Sequence, residues 1–357
     1  MEVTVLADKS RRSAMKYGIA AIAAAVVAGV GGYAAWQATR PAPTPTPTPA
    51  PVEVEPIKVA LLLPSPIGDF GWNYAAYTAM KEVSETLPAV EMSYADNIPE
   101  ADAEPYLRDW IRLGHKVIFA HSWGYQDACF KLAEEHPEVA FLYPGGGPTA
   151  PGVATYYARD YESQYLAGML SGMMTKTGVI GFVGAYPIET LVYGINAYIL
   201  GAKEINPDIE VRVAFTGTWY DPPKEKETAF ALIDAGADFL SHYQDSAAVL
   251  EAAAERGVYA FGMYTDSRFI APEAVVAIII WNWAPFFGEI IEGWRAGTLT
   301  REDLNQFYYR GIAEGATDLT LFGPMVPDDV KEKIAERRSQ IVAGEFVVPT
   351  ISEYTWE

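Results

Sequence analysis

Leu61-Leu62-Leu63-Pro64-Ser65-Pro66-Ile67-Gly68-Asp69-Phe70-Gly71-Trp72-Asn73 is the stretch from which the fold is read. It begins inside a continuous apolar run, Val59 to Leu63, the pattern of a strand buried on both faces. Pro64 and Pro66 end that strand, because neither can donate to a sheet ladder. Gly68 and Gly71 then bracket Asp69 and Phe70. Trp72 and Asn73 lead into a helical pattern with Ala76, Met80, Val83 and Leu87 on one face. Strand, polar-aromatic loop and helix form the unit that places ligand groups beyond the carboxyl ends of a parallel sheet. Flat apolar rings beside directional donors and acceptors suit a flat, polar-edged molecule such as a base or a sugar ring. The same residues also read as a packing plug, with Asp69 capping the next helix.

The alternation continues outward from this unit. Strand patterns cover 58–63, 91–94, 117–120, 139–143, 153–157, 179–183, 210–215, 239–242, 258–263 and 275–280. Helical patterns fill most of the gaps, at 73–86, 104–113, 126–136, 161–174, 190–205, 224–235 and 247–256. Such βαβ alternation implies an α/β protein with mostly parallel sheets and helices on both faces. One design is used twice, opening with 58–63 and again with 179–183. We therefore expect two lobes in a body over 57–357. Lobe 1 covers about 57–160 with a return after about 265, and lobe 2 covers about 175–262 with a C-terminal segment. The first crossing between them is expected near 161–178. A charged amphipathic helix over 327–342 reads as a solvated surface.

Four strand ends carry aromatic or polar clusters: His121 to Asp127, Gly184 to Pro187, Thr216 to Asp221, and Tyr264 to Asp266. Alone, each also reads as a cap with a packing aromatic. Their recurrence at one topological position points to a cleft at the carboxyl edges of two sheets. The candidate ligand-binding residues are Asp69, Phe70, Trp72, Asn73, Trp123, Tyr125, Tyr186, Trp219, Asp245, Asp266 and Trp281.

Other chemistries find little support. The chain has 357 residues, long for one core, with 46 acidic against 26 basic side chains and a formal charge of -20. That balance disfavours nucleic acid or an anionic membrane surface as partner. Cys129 is the single cysteine, so no intrachain disulfide exists. His115, His121, His136 and His242 lack metal-ligand spacing, and Ser122 is not in a nucleophile elbow. The glycines from Gly178 to Gly184 have the wrong spacing for a dinucleotide loop, and Gly145-Gly146-Gly147 reads as a turn. No cofactor, metal or catalysis is expected, and the protein is expected to be a monomer.

The N-terminus is organised differently. Lys9, Arg11, Arg12 and Lys16 precede an uncharged run over 17–38, roughly 33 Å as a helix and long enough to cross a bilayer. The basic residues place 1–16 in the cytoplasm and the body outside. The segment reads as an uncleaved single-pass anchor, with a cleaved signal as the alternative. The stretch 39–56 is rich in Pro and Thr and reads as a stiff extracytoplasmic stalk, its Pro-Thr core on the order of 30 Å long.

With these residues laid out, the body resembles the basic membrane protein family, the Bmp or PnrA-like substrate-binding proteins of ABC importers. The resemblance rests on Gly68 to Asn73, on Tyr161-Glu162-Ser163-Gln164-Tyr165-Leu166-Ala167-Gly168, and on Thr175 to Gly184. It continues in Gly201-Ala202 with Asn206-Pro207, Thr216-Gly217-Thr218-Trp219, Gly236-Ala237-Asp238 and Gly262 to Asp266. It implies a type I periplasmic binding protein: two Rossmann-like lobes, three crossings, and a purine nucleoside or nucleobase clamped between them. By the same resemblance Asn73 bonds the base edge, Phe70, Trp72 and Trp219 stack on it, and Asp266 takes ribose hydroxyls. Two positions depart from the family pattern. Tyr74 stands where many relatives have an acid, and Trp281-Asn282-Trp283 where many have a lysine. A free base or another flat ring is thus nearly as well suited as a nucleoside. The family's lipid-anchored cysteine is absent as well. The expected partners are the ligand, an ABC permease and, through the N-terminal helix, the membrane. The alternatives are a sensor reporting to a membrane partner and a secreted nucleoside- or sugar-processing enzyme.

Overall fold

A computed structural model describes residues 54–356. The expected tail at 1–16, the anchor at 17–38 and all but the last residues of the stalk lie outside the described residues. Among the described residues no helix is long and apolar enough to cross a membrane.

The first sheet begins with β1 (Ile57–Leu62), β2 (Val90–Ala95), β3 (Val117–Ala120), β4 (Ala140–Pro144) and β5 (Val153–Ala158). The second begins with β6 (Val179–Gly184), β7 (Glu210–Phe215), β8 (Phe239–His242), β9 (Tyr259–Tyr264) and β10 (Val275–Trp281). Each is completed by one late strand, β11 (Phe307–Arg310) in the first and β12 (Thr317–Thr320) in the second. The orders are β11-β5-β4-β3-β1-β2 and β12-β10-β9-β8-β6-β7. All pairings are parallel except β10 with β12. Interior strands β3, β4 and β5 are buried along their whole length, as helices on both faces require. Edge strands β2 and β7 are only partly buried.

Helices α1 (Trp72–Thr86), α2 (Ala103–Arg112) and α3 (Gln126–Glu135) belong to the first lobe. The second lobe holds α4 (Tyr161–Met174), α5 (Glu189–Ile205), α6 (Pro222–Asp234) and α7 (Ala248–Arg256). Then α8 (Ala284–Arg295) packs back against α1, and α9 (Asp328–Val342) against α4. Helices α4 and α5 touch through their backbones. A Cβ on Gly168 would sit 2.0 Å from the Tyr198 carbonyl oxygen, and one on Gly201 equally close to that of Tyr165.

The chain passes between the sheets three times, at Arg159-Asp160, at Asn282-Trp283 and over 311–316. Two expectations are corrected here. The first crossing comes before 161–178, because α4 packs on α5 of the second lobe. The return comes after Trp281 rather than after about 265, because β10 pairs with β9 in the second sheet. The first and third crossings are tied together. The Arg159 guanidinium donates to Glu162 Oε1 (2.8 Å), Glu314 Oε2 (2.9 Å) and the Tyr309 carbonyl (3.0 Å), and the Ile312 amide donates to Glu162 Oε2 (2.8 Å).

Candidate ligand-binding site

The loop after β1 is organised by Asp69. Its carboxylate accepts from the amides of Gly71 (2.8 Å), Asn73 (3.0 Å) and Tyr74 (3.1 Å) and from Asn73 Nδ2 (2.7 Å). These amides are among the unpaired donors at the start of α1, so Asp69 closes the loop and caps the helix. Burial pushes its pKa up, against the pull of those donors. Asn73 is fully buried beside it, and its Oδ1 has no partner among the described residues. Phe70 takes a left-handed conformation (φ 57°) that turns its ring toward Tyr74 and Phe269, 42% exposed.

Trp72, one step on, faces inward. Its ring stacks on His121 (centroids 4.4 Å apart, 23° between planes), and its Nε1 donates to the His121 carbonyl (3.1 Å). Burial pushes His121 down to about 3, which keeps that platform neutral. The edges of Tyr264 (5.8 Å), Trp281 (5.4 Å) and Trp283 (6.0 Å) meet Trp72 from the second lobe and the second crossing. Trp281 and Trp283 thus form an aromatic floor beneath Trp72.

Above this floor lies a cavity of about 90 Å³. Its walls come from the carboxyl ends of strands in both sheets. Trp72, Trp123, Tyr157, Trp219 and Tyr264 supply rings, Ile188 and Leu191 supply apolar surface, and Ser65, Ser122, Glu100 and Asp245 supply polar groups. None of the described residues lining it is Lys, Arg or His. Glu100 accepts from the Ser122 hydroxyl (2.6 Å). Asp245 is 5% exposed, and its carboxyl receives no hydrogen bond among the described residues. Burial, then the nearby carboxyls of Asp69 and Glu225, hold its pKa well above the usual range.

Of the residues singled out in the sequence, Trp72, Trp123, Trp219 and Asp245 meet at this cavity. Trp281 lies in the floor, 4% exposed. Tyr186 lies outside and packs on Trp219 (5.2 Å). Asp69, Phe70 and Asn73 do not line it; Asp69 and Phe70 instead line a second, smaller cavity with His242, Gln244 and Tyr264. Tyr125 is buried in the first-lobe core, its hydroxyl donating to the Ile98 carbonyl (2.7 Å). Asp266 points away, paired with Arg268 (2.8 Å) at the surface. The cause is Tyr264: its left-handed backbone (φ 67°) turns the chain so that Tyr264 enters the cavity. Tyr157 and Glu100 are absent from the sequence candidates, and Tyr264 and Ser122 enter them only through the strand-end clusters. Tyr157 and Tyr264 end strands β5 and β9, and that position was the signal available in the sequence.

Comparison with known proteins agrees with this architecture. Residues 57–352 match the family described as ABC transporter substrate-binding protein, PnrA-like. A purine-binding protein of Brucella abortus is 36% identical over 292 residues, 81% of this chain and 82% of the relative. A protein of Haloferax volcanii named as an ABC transporter glucose-binding protein is 34% identical, covering 82% of this chain and 74% of the relative. The crystal structure of an ABC transporter solute-binding protein from Aeropyrum pernix superposes with a TM-score of 0.70 at 20% identity, over 82% of this chain and 94% of the other. At that identity it speaks to the fold alone.

Proposed function

The chain belongs to the PnrA-like family of ABC transporter substrate-binding proteins, and on that premise we propose that it binds a purine base or nucleoside between its two lobes and delivers it to an ABC permease. The observation that carries the reading is the cavity itself. Rings from both lobes line one cavity, with a buried carboxyl among them. A purine offers two apolar faces to such rings and a polar edge to the carboxyl. The purine-binding relative supports the same ligand class. Closure of the lobes about the three crossings captures the ligand, and no bond is made or broken. The segment 17–38 tethers the protein to the membrane, with the body outside. A hexose is the second reading, favoured by the Haloferax relative.

Thermal shift of the full chain against bases, nucleosides and glucose, with product assays on the same mixtures, tests the proposal. A ligand present at about 100 times its dissociation constant adds roughly 2.7 kcal/mol. Stabilisation by purines without turnover is the expected result. Stabilisation by glucose alone, or product formation, overturns it.

A further inference from the structure

We propose that Asp245 reads the ligand's polar edge as a neutral carboxylic acid, presenting a donor and an acceptor side by side. The site then selects uncharged rings with an adjacent acceptor and donor on one edge, and refuses their phosphate esters. This inference rests on the purine reading above and sharpens it.

The contrast between two buried acids carries the argument. Asp69 receives four N–H donors at 2.7–3.1 Å, an environment built for an anion. Asp245 is buried to the same degree and lines the cavity, yet its carboxyl receives no donor among the described residues. Its main chain is fixed, since its amide donates to the Trp219 carbonyl (3.1 Å). The titratable groups around it are Asp69 on the loop after β1, Glu225 on α6, Tyr264 on β9 and Tyr157 on β5. Glu100 adds a second acid to the cavity wall. None of these is a cation, and none of the described lining residues is one. An ionised carboxylate here would be an unpaired charge among aromatic walls, which costs far more than binding a proton.

A protonated carboxyl has one O–H donor and one carbonyl acceptor. That pair matches a ring nitrogen beside an amino group, as in adenine, or a ring N–H beside a carbonyl, as in hypoxanthine. It does not match an edge with two adjacent donors, which needs the carboxylate. A phosphate group would carry its negative charge into a cavity whose described lining offers no cation to receive it.

Calorimetric titration of the full chain with adenine, adenosine and adenosine monophosphate provides the test, on the unmodified protein and on Asp245→Asn and Asp245→Ala. A carboxamide presents a donor and an acceptor in the same places, so D245N should keep affinity within about 5-fold, whereas D245A should lose at least about 10-fold. The monophosphate should bind at least about 100-fold more weakly than adenosine. Affinity of the unmodified protein should hold through neutral pH and fall at alkaline pH. That last measurement keeps the proposal testable if a variant does not fold. D245A binding like the unmodified protein, D245N falling as far as D245A, or equal affinity for the monophosphate would each overturn the inference while the purine reading stands. Absence of purine binding by the unmodified protein would remove both.

Discussion

Gly71 of the first lobe lies against the main chain of Asp245 in the second: a Cβ on Gly71 would come within 2.7 Å of the Asp245 carbonyl oxygen. Beside this contact the Thr265 hydroxyl donates to the Phe70 carbonyl (2.6 Å). At Gly71 the loop after β1 therefore bears on the second lobe through backbone, with no room for a side chain at that position.

Gly71→Ala should hold the lobes apart at that point. Ligand affinity is expected to fall by about 10-fold or more, a loss typical of a misfitted closed state. The thermal midpoint without ligand should move little. Calorimetry and small-angle scattering check this together, and unchanged affinity with an unchanged closed radius would refute it.

Trp219 is 38% exposed at the cavity wall, so its removal tests ligand contact more than folding. Base–aromatic stacking is worth about 1–3 kcal/mol. Trp219→Ala should thus weaken purine binding by roughly 10- to 100-fold. Its ligand-free melting should stay close to that of the parent.

Asp69 and Asp266 should respond in opposite ways. Asp69→Ala removes the cap of α1 and should cost about 1–2 kcal/mol of stability, measured by denaturant unfolding. Asp266→Asn breaks an exposed pair with Arg268 and should leave purine affinity unchanged within about 2-fold. A large loss of affinity in D266N would restore the role that the family resemblance implies for it.

Asp160 sits buried at the first crossing, its Oδ2 accepting from the Tyr243 hydroxyl (2.5 Å). Burial pushes it up to about 7 from 3.8, against the pull of that hydrogen bond. Between those two values the folded state holds a proton that the unfolded chain releases. The stabilising contribution is therefore full below about pH 3.8 and is lost as pH rises through about 7. Asp160→Asn keeps an acceptor for Tyr243 and removes the titration. From pH 5 to pH 8 it should gain thermal midpoint relative to the parent, on the order of 5 °C. Parallel pH profiles for the two proteins would contradict this.

The tether is testable without ligand. Deleting 1–38 should move the protein from a carbonate-resistant membrane fraction to the soluble fraction. An intact chain that is already soluble would remove the anchor from the proposal.

Eight of the ten expected strands are legible because strands covered on both faces leave continuous apolar runs, as in Val275 to Ile280, while the edge strands β2 and β7 show instead an alternation of polar and apolar residues. The late elements left no such trace. Phe307-Tyr308-Tyr309-Arg310 is a short edge strand, half exposed, and β12 interrupts its apolar pattern with Asp318. Helix α8 opens with Pro285 in its first turn, which reads as a break from sequence alone. At the site, residue type predicted the aromatic character but not its direction. Phe70 and Tyr264 both adopt left-handed backbone without being glycine. Such a turn decides which neighbour enters the cavity, and it leaves no mark in composition. Hence Trp72 and Trp219 line the cavity, while Phe70 and Asp266 do not.

Each sheet waits for a strand from the far end of the chain: β5 lies beside β11, and β10 beside β12. A ribosome adding about 5–20 residues per second needs roughly 7–30 s to travel from β5 to β11. Throughout that interval the first lobe exposes an unpaired strand edge made of Val153 to Ala158. The nascent chain therefore carries a sticky apolar border until synthesis is nearly finished, and truncation before Phe307 leaves it open permanently. Chaperone dependence in this protein should track that border more closely than the stability of the finished molecule.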